Sequence, residues 1–560
     1  MREPGREQGI EGHFPFGPDD PVCLFLGDVD SIKSFVYETN SLPEIRGAST
    51  LLTDVEECLR QLLKEHYLLY CAGGGFLAIV KADQAESLKD QIENLYQTKT
   101  HLATITVVLS EPVRYKDLNH GPIVGEEGLS EGPKQGVAQD LLISHLPSPP
   151  AKPVKGFGEW LTFLVALLRR EKRRKTIAPF IEALPFQQRC QSCGKRPASQ
   201  RDPVTADWLC SWCQIKRERG RKQRTAFTEN FAQWVKEEKG IGEIGARPED
   251  LDQLAGPEGK IALLYADGNN MGDLLRWVSH PDDFQKVSSA LINGTKDALF
   301  RGLFETFGPE RLSESPLPFE IIAIGGDDLV VVTRASAGWL LALRVLQNFQ
   351  NHPQIRQIIQ ILNLPGTVPL TMSAGLVIAD VKYPVRFLFD LATGLLRKAK
   401  SLAKQQPEGT LCHLWLRDPV VSENPDDILQ PLFHFQTEQI RYSLTARPYT
   451  VKEGFSLLEQ AKVLASFPSS QRRLIAESLP RGILFSVNTT LYQAARMGER
   501  SRELTDALNQ LSQILTQRGG ARKGVEFWVF DPSGECQTAL LDALELVELN
   551  AHSYGSEGLQ

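Results

Sequence analysis

The strongest constraint on this chain is an internal repeat. From Pro21 to about Glu111 the order reads strand, helix, glycine-tipped hairpin, helix, strand. From Lys260 to about Gln406 the order returns, with LLYADGNNM in the place of LFLGDVDSI and AIGGDDLVVV in the place of CAGGGFLAIV. Apolar residues three and four apart mark the helices, as in GASTLLTDVEECLRQLLKEH, and short β-branched runs bounded by glycine mark the strands. This is the ferredoxin-like order. The expected fold is α+β, with two such modules packed as pseudo-symmetric halves. The expected divisions are a flexible lead-in at 1–20, a first module at 21–150 and a helical four-cysteine insert at 151–255. A second module at 256–425 and a mostly helical domain at 426–560 complete the chain.

The two copies differ at the hairpin tip. The first has GGGF, Gly73–Phe76, where the second has Gly325, Gly326, Asp327 and Asp328. A turn needs only the glycines, and acidic residues are themselves common in turns. Acid present at one tip and missing from its copy is what an active and a degenerate half would look like. In a ferredoxin-like sheet the first strand can lie beside the hairpin, so Asp267 can converge with Asp327 and Asp328. Side chains alternate along a strand, so both tip aspartates can serve one site only if the turn distorts the alternation. Glycines at 325 and 326, and at 268 after Asp267, allow tight turning and close approach of a ligand. Carboxylates so placed suit Mg²⁺ or Mn²⁺ shared with substrate phosphates. Lys400 and Lys404, with Arg397 and Lys398 as alternatives, lie on the last helix of the module and can reach a triphosphate or form a solvated face. Asp28 survives in the first copy without hairpin carboxylates to help it hold a metal pair.

Four of nine cysteines form a cluster: Cys190, Cys193, Cys210 and Cys213, spaced C-x2-C, sixteen residues, C-x2-C. That is the spacing of a closed structural Zn²⁺ site. Around it the charge is uneven. Residues 151–224 hold 18 Lys/Arg against 6 Asp/Glu, while the whole chain carries −7. The basic runs RREKRRK (Arg169–Lys175) and KRERGRKQR (Lys216–Arg224) read as an RNA-backbone or partner contact, or as solvated helix faces. The longest apolar run, LTFLVALL, falls far short of the roughly 18 residues that span a bilayer. The polar, Gly/Pro-rich first 20 residues lack a signal-peptide core, so a cytoplasmic location without membrane attachment is expected.

Gly-Gly-Asp-Asp on a hairpin, an Asp-Gly-x-Asn-Met-Gly turn upstream, the first-copy motifs GDVDSIKSF and RGAST, and the intervening four cysteines together resemble the large polymerase/cyclase subunit of type III CRISPR effector complexes. The resemblance covers roughly Pro21 to Gln406. It implies two palm domains, the first degenerate and the second catalytic. It also implies a target-RNA-activated enzyme that turns ATP into cyclic oligoadenylate, with Asp267, Asp327 and Asp328 on Mg²⁺ or Mn²⁺ and Lys400 or Lys404 on the phosphates. The implied partners are CRISPR RNA, target RNA, and the backbone and small helical subunits. This chain departs from many members in two ways. It has Asn269 where they have the second aspartate of Asp-Gly-Asp, which bears on a second metal. It also has no His-Asp dipeptide and only about 20 residues before the first palm, so no HD-type DNase activity is expected from it. A stand-alone nucleotide cyclase, or a non-catalytic scaffold bridging RNA and protein, are the alternatives.

Overall fold

The computed structural model describes residues 16–122, 156–175, 182–222, 226–364, 369–437, 440–521 and 527–550. The first module runs β1 (Pro21–Val29), α1 (Leu42–Leu62), β2 (Tyr67–Ala72), β3 (Gly75–Lys81), α2 (Ala85–Thr100) and β4 (Ile105–Leu109). Its sheet order is β2-β3-β1-β4, antiparallel throughout. Helix α3 (Phe157–Arg174) follows, then α4 (Ser211–Lys222) at the end of the four-cysteine segment.

The second module runs β5 (Lys260–Gly268), α5 (Pro281–Ser313), β6 (Phe319–Ile324), β7 (Asp328–Arg334), α6 (Ala335–Asn351), β8 (Met372–Asp380), α7 (Val385–Ala403) and β9 (Thr410–Trp415). Its first four strands repeat the order of the first sheet, β6-β7-β5-β8. Strand β9 extends the sheet parallel to β8, and β10 (Tyr449–Thr450) closes that edge. Helix α6 covers one face, where Gly338 meets Ala262 and Leu376. Helix α7 covers the other, and a Cβ on Gly375 would fall 2.0 Å from the Ala392 carbonyl oxygen. Only a glycine there lets α7 lie directly on β8. Burial on both faces explains why β5 and β8 read as continuous apolar runs instead of alternating.

The modules dock reciprocally. Arg46 of α1 forms a bidentate ion pair with Glu320 of β6, at 2.8 and 2.7 Å, both side chains fully buried. Ser49 donates to the Ile322 carbonyl at 2.6 Å. In return, Tyr67 of β2 donates to Asp282 of α5 at 2.7 Å, and Gln285 donates to the Leu68 carbonyl at 3.3 Å. The first helix of each module thus sits on the second strand of the other, and the RGAST motif is part of the joint.

Past β9 the chain is mainly helical, with α8 (Val451–Ala465), α9 (Ser501–Gln517) and α10 (Leu540–Asn550) among its helices. It also holds a four-stranded sheet of two- and three-residue strands at 434–436, 441–443, 529–530 and 536–537. Among the described residues, no helix is long and apolar enough to cross a membrane.

Candidate active site at the joint between the two modules

Asp267, the next-to-last residue of β5, lies directly opposite Asp328, the first residue of β7. Facing residues on antiparallel strands share a side of the sheet. Asp327 precedes the strand and is free of its alternation. Its carbonyl accepts from Gly268 N–H at 2.9 Å, and its carboxylate lies against Gly268, where a Cβ would be 3.0 Å from Oδ2. The three carboxylates therefore gather at one strand end. Gly325 and Gly326 both serve this geometry by their lack of a side chain, not by a left-handed φ. A Cβ on Gly325 would fall 1.9 Å from Asp328 Oδ1, and one on Gly326 would fall 3.1 Å from the Tyr70 hydroxyl.

Crowding beside a third acid in a desolvated corner disfavours the charge of the two tip aspartates. Burial first, then the charges of Asp267 and Asp328, push Asp327 up to about 7. Burial and Asp267 push Asp328 up to about 6. Lys400 answers part of that charge: its ammonium binds Asp267 and donates to the Gly268 carbonyl at 2.8 Å. Of the other cations on this helix, Lys398 turns away to Asp426, while Lys404 lies exposed just past the end of α7. Arg397 is exposed. Asn269 is no part of the acid cluster. Its side chain donates to Thr371 at 2.9 Å and accepts from Ser373 at 2.7 Å, tying β5 to β8.

The first module presents its own tip to this site. Gly73 lies against Gly325, with a Cβ position 3.2 Å from its Cα. Register corrects the sequence alignment here by one residue. Asp28 pairs with Gly75, as Asp267 pairs with Asp328, so the counterparts of the tip aspartates are Gly74 and Gly75. The degenerate tip is therefore AGGG, not GGGF. Three consecutive glycines gave the alignment no side chain to fix it.

The basic block requires a larger correction. Lys216 is buried and donates to the Phe35 carbonyl at 2.7 Å and to Glu38 at 3.3 Å. Arg217 is buried among Glu44, Asp202 and Asp207, while Arg219 pairs with Asp54 and Arg221 with Asp202. Through Phe35, Glu38, Glu44 and Asp54 these charges fasten α4 to the first module, and through Asp202 and Asp207 to its own four-cysteine segment, so they are not available to RNA. In the other run Lys172 and Lys175 are spent on Asp28 and Asp30, whereas Arg169, Arg170, Arg173 and Arg174 are exposed. Residues 223–225 lie outside the described residues.

Cys190, Cys193, Cys210 and Cys213 converge, all four sulfurs within 4.8 Å of one another. Cys193 and Cys210 are 4.0 Å apart, near the roughly 3.8 Å edge of a tetrahedron with metal–sulfur bonds of about 2.3 Å. The Arg196 guanidinium stands 3.8 Å from Cys193 and 3.9 Å from Cys210, where it stabilises thiolate charge. Sequence reasoning missed Lys33, Tyr265 and Phe389, which adjoin the acids. Tyr265 is two residues before Asp267 on the same face and was visible by period; Lys33 reaches the site from the other module, which no local pattern shows.

Residues 260–407 match the family model of the Cas10/Cmr2 second palm domain. No curated protein matches the sequence. Among solved structures, a Csm1–Csm4 cassette in complex with cA4 matches at 14% identity and a TM-score of 0.50, over 94% of this chain and 70% of that one. The same cassette in complex with pppApApA matches at 14% identity and a TM-score of 0.50, over 96% and 71%. Csm1 in T. onnurineus matches at 16% identity and a TM-score of 0.45, over 94% and 70%. The first two likenesses are of fold. Residues 260–407 thus carry a Cas10/Cmr2 second palm domain, and the chain as a whole shares its fold with the Csm1–Csm4 cassette structures.

Proposed function

We propose that this protein is the cyclic-oligoadenylate synthase of a type III CRISPR effector complex, active on ATP when a target RNA pairs with the CRISPR RNA. The observation that carries this reading is the gathering of Asp267, Asp327 and Asp328 at one strand end, against the tip of the other palm. Three acids and one lysine leave an excess of negative charge that oxygen-seeking divalent cations suit. Asp267, Asp327 and Asp328 would hold Mg²⁺ or Mn²⁺, which when bound activates the attacking hydroxyl and steadies the leaving pyrophosphate. The 3′-hydroxyl of one ATP attacks the α-phosphorus of another. A phosphodiester forms, the bond to the β-phosphate breaks, and the hydroxyl proton is lost to solvent. Lys400 orients Asp267, and Gly268, lacking a side chain, lets Met271 and the Asp327 carboxylate pack against the strand end.

Cys190, Cys193, Cys210 and Cys213 would hold Zn²⁺ with no open position, a structural role consistent with the ion pairs that fasten the module to the first palm. RNA and the other subunits complete the complex. The test is a product assay on that complex with ATP, divalent metal and matching target RNA. Target-dependent cyclic adenylates, lost in the Asp327→Ala/Asp328→Ala variant, are expected. A complex that binds its target and consumes no ATP would leave the chain a scaffold.

A further inference from the structure

One row of side chains crosses the second sheet beneath α7 and continues past the acid site. Asp328 pairs with Asp267, Asp267 with Ser373, and Ser373 with Thr410, so four strands present two acids and then two hydroxyls on one face. Ser373 and Thr410 are fully buried. Their hydroxyls form a chain. Ser373 donates to Asn269 Oδ1 at 2.7 Å, Ser373 and Thr410 are 2.7 Å apart, and Thr410 donates to the Ala399 carbonyl at 2.8 Å. Ser373 has one hydrogen and gives it to Asn269, so Thr410 divides its own between Ser373 and Ala399. Ala399 immediately precedes Lys400 on α7. Seven residues earlier, two turns of helix, the Ala392 carbonyl lies where a Cβ on Gly375 would fall 2.0 Å away. Gly375 and Ser373 are two apart on β8 and face the same way. One side of α7 is thus held at two carbonyls, by close fit at Ala392 and by a hydrogen bond at Ala399. Two such anchors fix both the slide and the roll of the helix. The residue after the second anchor is Lys400, whose ammonium must meet the Asp267 carboxylate and the Gly268 carbonyl together. In the first palm Thr106 stands opposite Asp28 as Ser373 stands opposite Asp267, but among the described residues no strand lies beyond β4 to supply a second hydroxyl.

We infer that Thr410, together with Ser373, is a positioning residue of the acid site: through the Ala399 carbonyl it holds the last turns of α7 at the height and roll that put Lys400 on Asp267. This rests on the proposed synthase reading. Both hydroxyls act through Lys400, so their effect on turnover disappears once Lys400 is gone.

The test uses the assembled complex with Thr410→Val, which keeps the shape and removes the hydroxyl, Ser373→Ala, Thr410→Ser, which keeps the hydroxyl, Lys400→Met, and the double variant Thr410→Val/Lys400→Met. Thr410→Val and Ser373→Ala should each lower kcat about tenfold with KM for ATP little changed, the size expected for a slightly misplaced contact at a reacting group. Thr410→Ser should keep the wild-type rate. The double variant should turn over no more slowly than Lys400→Met alone. Losses that multiply in the double variant, or a Thr410→Val complex at the wild-type rate, overturn the inference and leave the synthase reading intact. A second readout needs no turnover. Lysines are acetylated with acetic anhydride and the labels read by mass spectrometry. In Thr410→Val, labelling of Lys400 should rise toward that of the exposed Lys64, while Lys64 itself stays unchanged. A rise shared by both lysines, with a lower melting temperature, would be general loosening and overturns the positioning role. If wild type turns over no ATP, the synthase reading fails and the labelling decides alone: Lys400 selectively uncovered in Thr410→Val upholds the seat, and unchanged labelling overturns it.

Discussion

Both palms place an aspartate next to last in their first strand, Asp28 and Asp267, and both aspartates take a lysine from the helix that follows the fourth strand. Lys172 of α3 reaches Asp28 at 2.5 Å and the Val29 carbonyl at 2.9 Å; Lys400 of α7 reaches Asp267 and the Gly268 carbonyl. The next polar position matches too. Asp30 accepts from Thr104 and Thr106 as Asn269 meets Thr371 and Ser373. The palms part at the facing strand, Gly75 against Asp328, and at the tip, Gly74 against Asp327. In the first palm two acids meet two lysines, Lys172 and Lys175, and the corner is neutral. In the second, three acids share one ion pair, with Lys400, while Lys33 sits nearby over the Tyr265 and Phe389 rings. The scaffold and even the lysine are shared; the unbalanced charge is what distinguishes the proposed metal site from its neutralised copy.

The sharpest break of that comparison removes the excess charge. Asp328→Ala or Asp327→Ala should lower nucleotide turnover by at least about 10³-fold, because the metal's charge stabilisation is worth several kcal/mol. Target binding should survive. Turnover within tenfold of wild type would assign the chemistry elsewhere. Next in size is the joint. Arg46→Ala strands Glu320 in a buried corner, and breaking a buried pair costs about 3–5 kcal/mol. Chemical denaturation should show that loss, and the contact of Lys33 with the rings of the second palm should open with it. The two lysines then separate the halves directly. Lys400→Met should reduce turnover about 10²-fold, as for other preorganised charge contacts at reacting groups. Lys172→Met breaks a part-exposed pair, worth about 1 kcal/mol or less, and should leave turnover alone. Equal effects on turnover would mean that the first palm's corner also handles nucleotide.

How much of this was legible beforehand differs by kind of information. The topology was, because repeated order survives divergence when both strand and helix periods persist, and both sheets show it. The gathering of Asp267 with Asp328 followed from that topology. The register of the first tip was not legible, since Ala72 to Gly75 offers one methyl among three glycines. The basic runs were misjudged because charge in sequence carries no direction. Lys216 and Arg217 point inward to acids that lie far away along the chain. Strands of two and three residues between 434 and 537 are too short for any period to register. Lys33 joins a site built on the other palm, information that exists only in the docked fold.

The smallest and most diagnostic difference concerns one methyl group. Gly325 and Gly75 lie on opposite palms in equivalent hairpins, neither with a left-handed φ. A Cβ on Gly325 would fall 1.9 Å from Asp328 Oδ1, so in Gly325→Ala the carboxylate must swing away from Asp267. Misplacing a reacting group by about 1 Å can cost up to about 10²-fold in rate. A Cβ on Gly75 meets nothing nearer than the Tyr70 ring at 3.5 Å, which is ordinary contact. Gly75→Ala should therefore change stability by no more than about 0.5 kcal/mol and leave turnover intact. Both proteins should melt near the wild-type temperature, so a rate loss confined to Gly325→Ala isolates carboxylate placement from folding. Should Gly325→Ala keep full activity, Asp328 tolerates rotation and its contribution is charge alone; should Gly75→Ala lose activity, the glycine tip of the first palm touches substrate, and the two halves are less unequal than their charges imply.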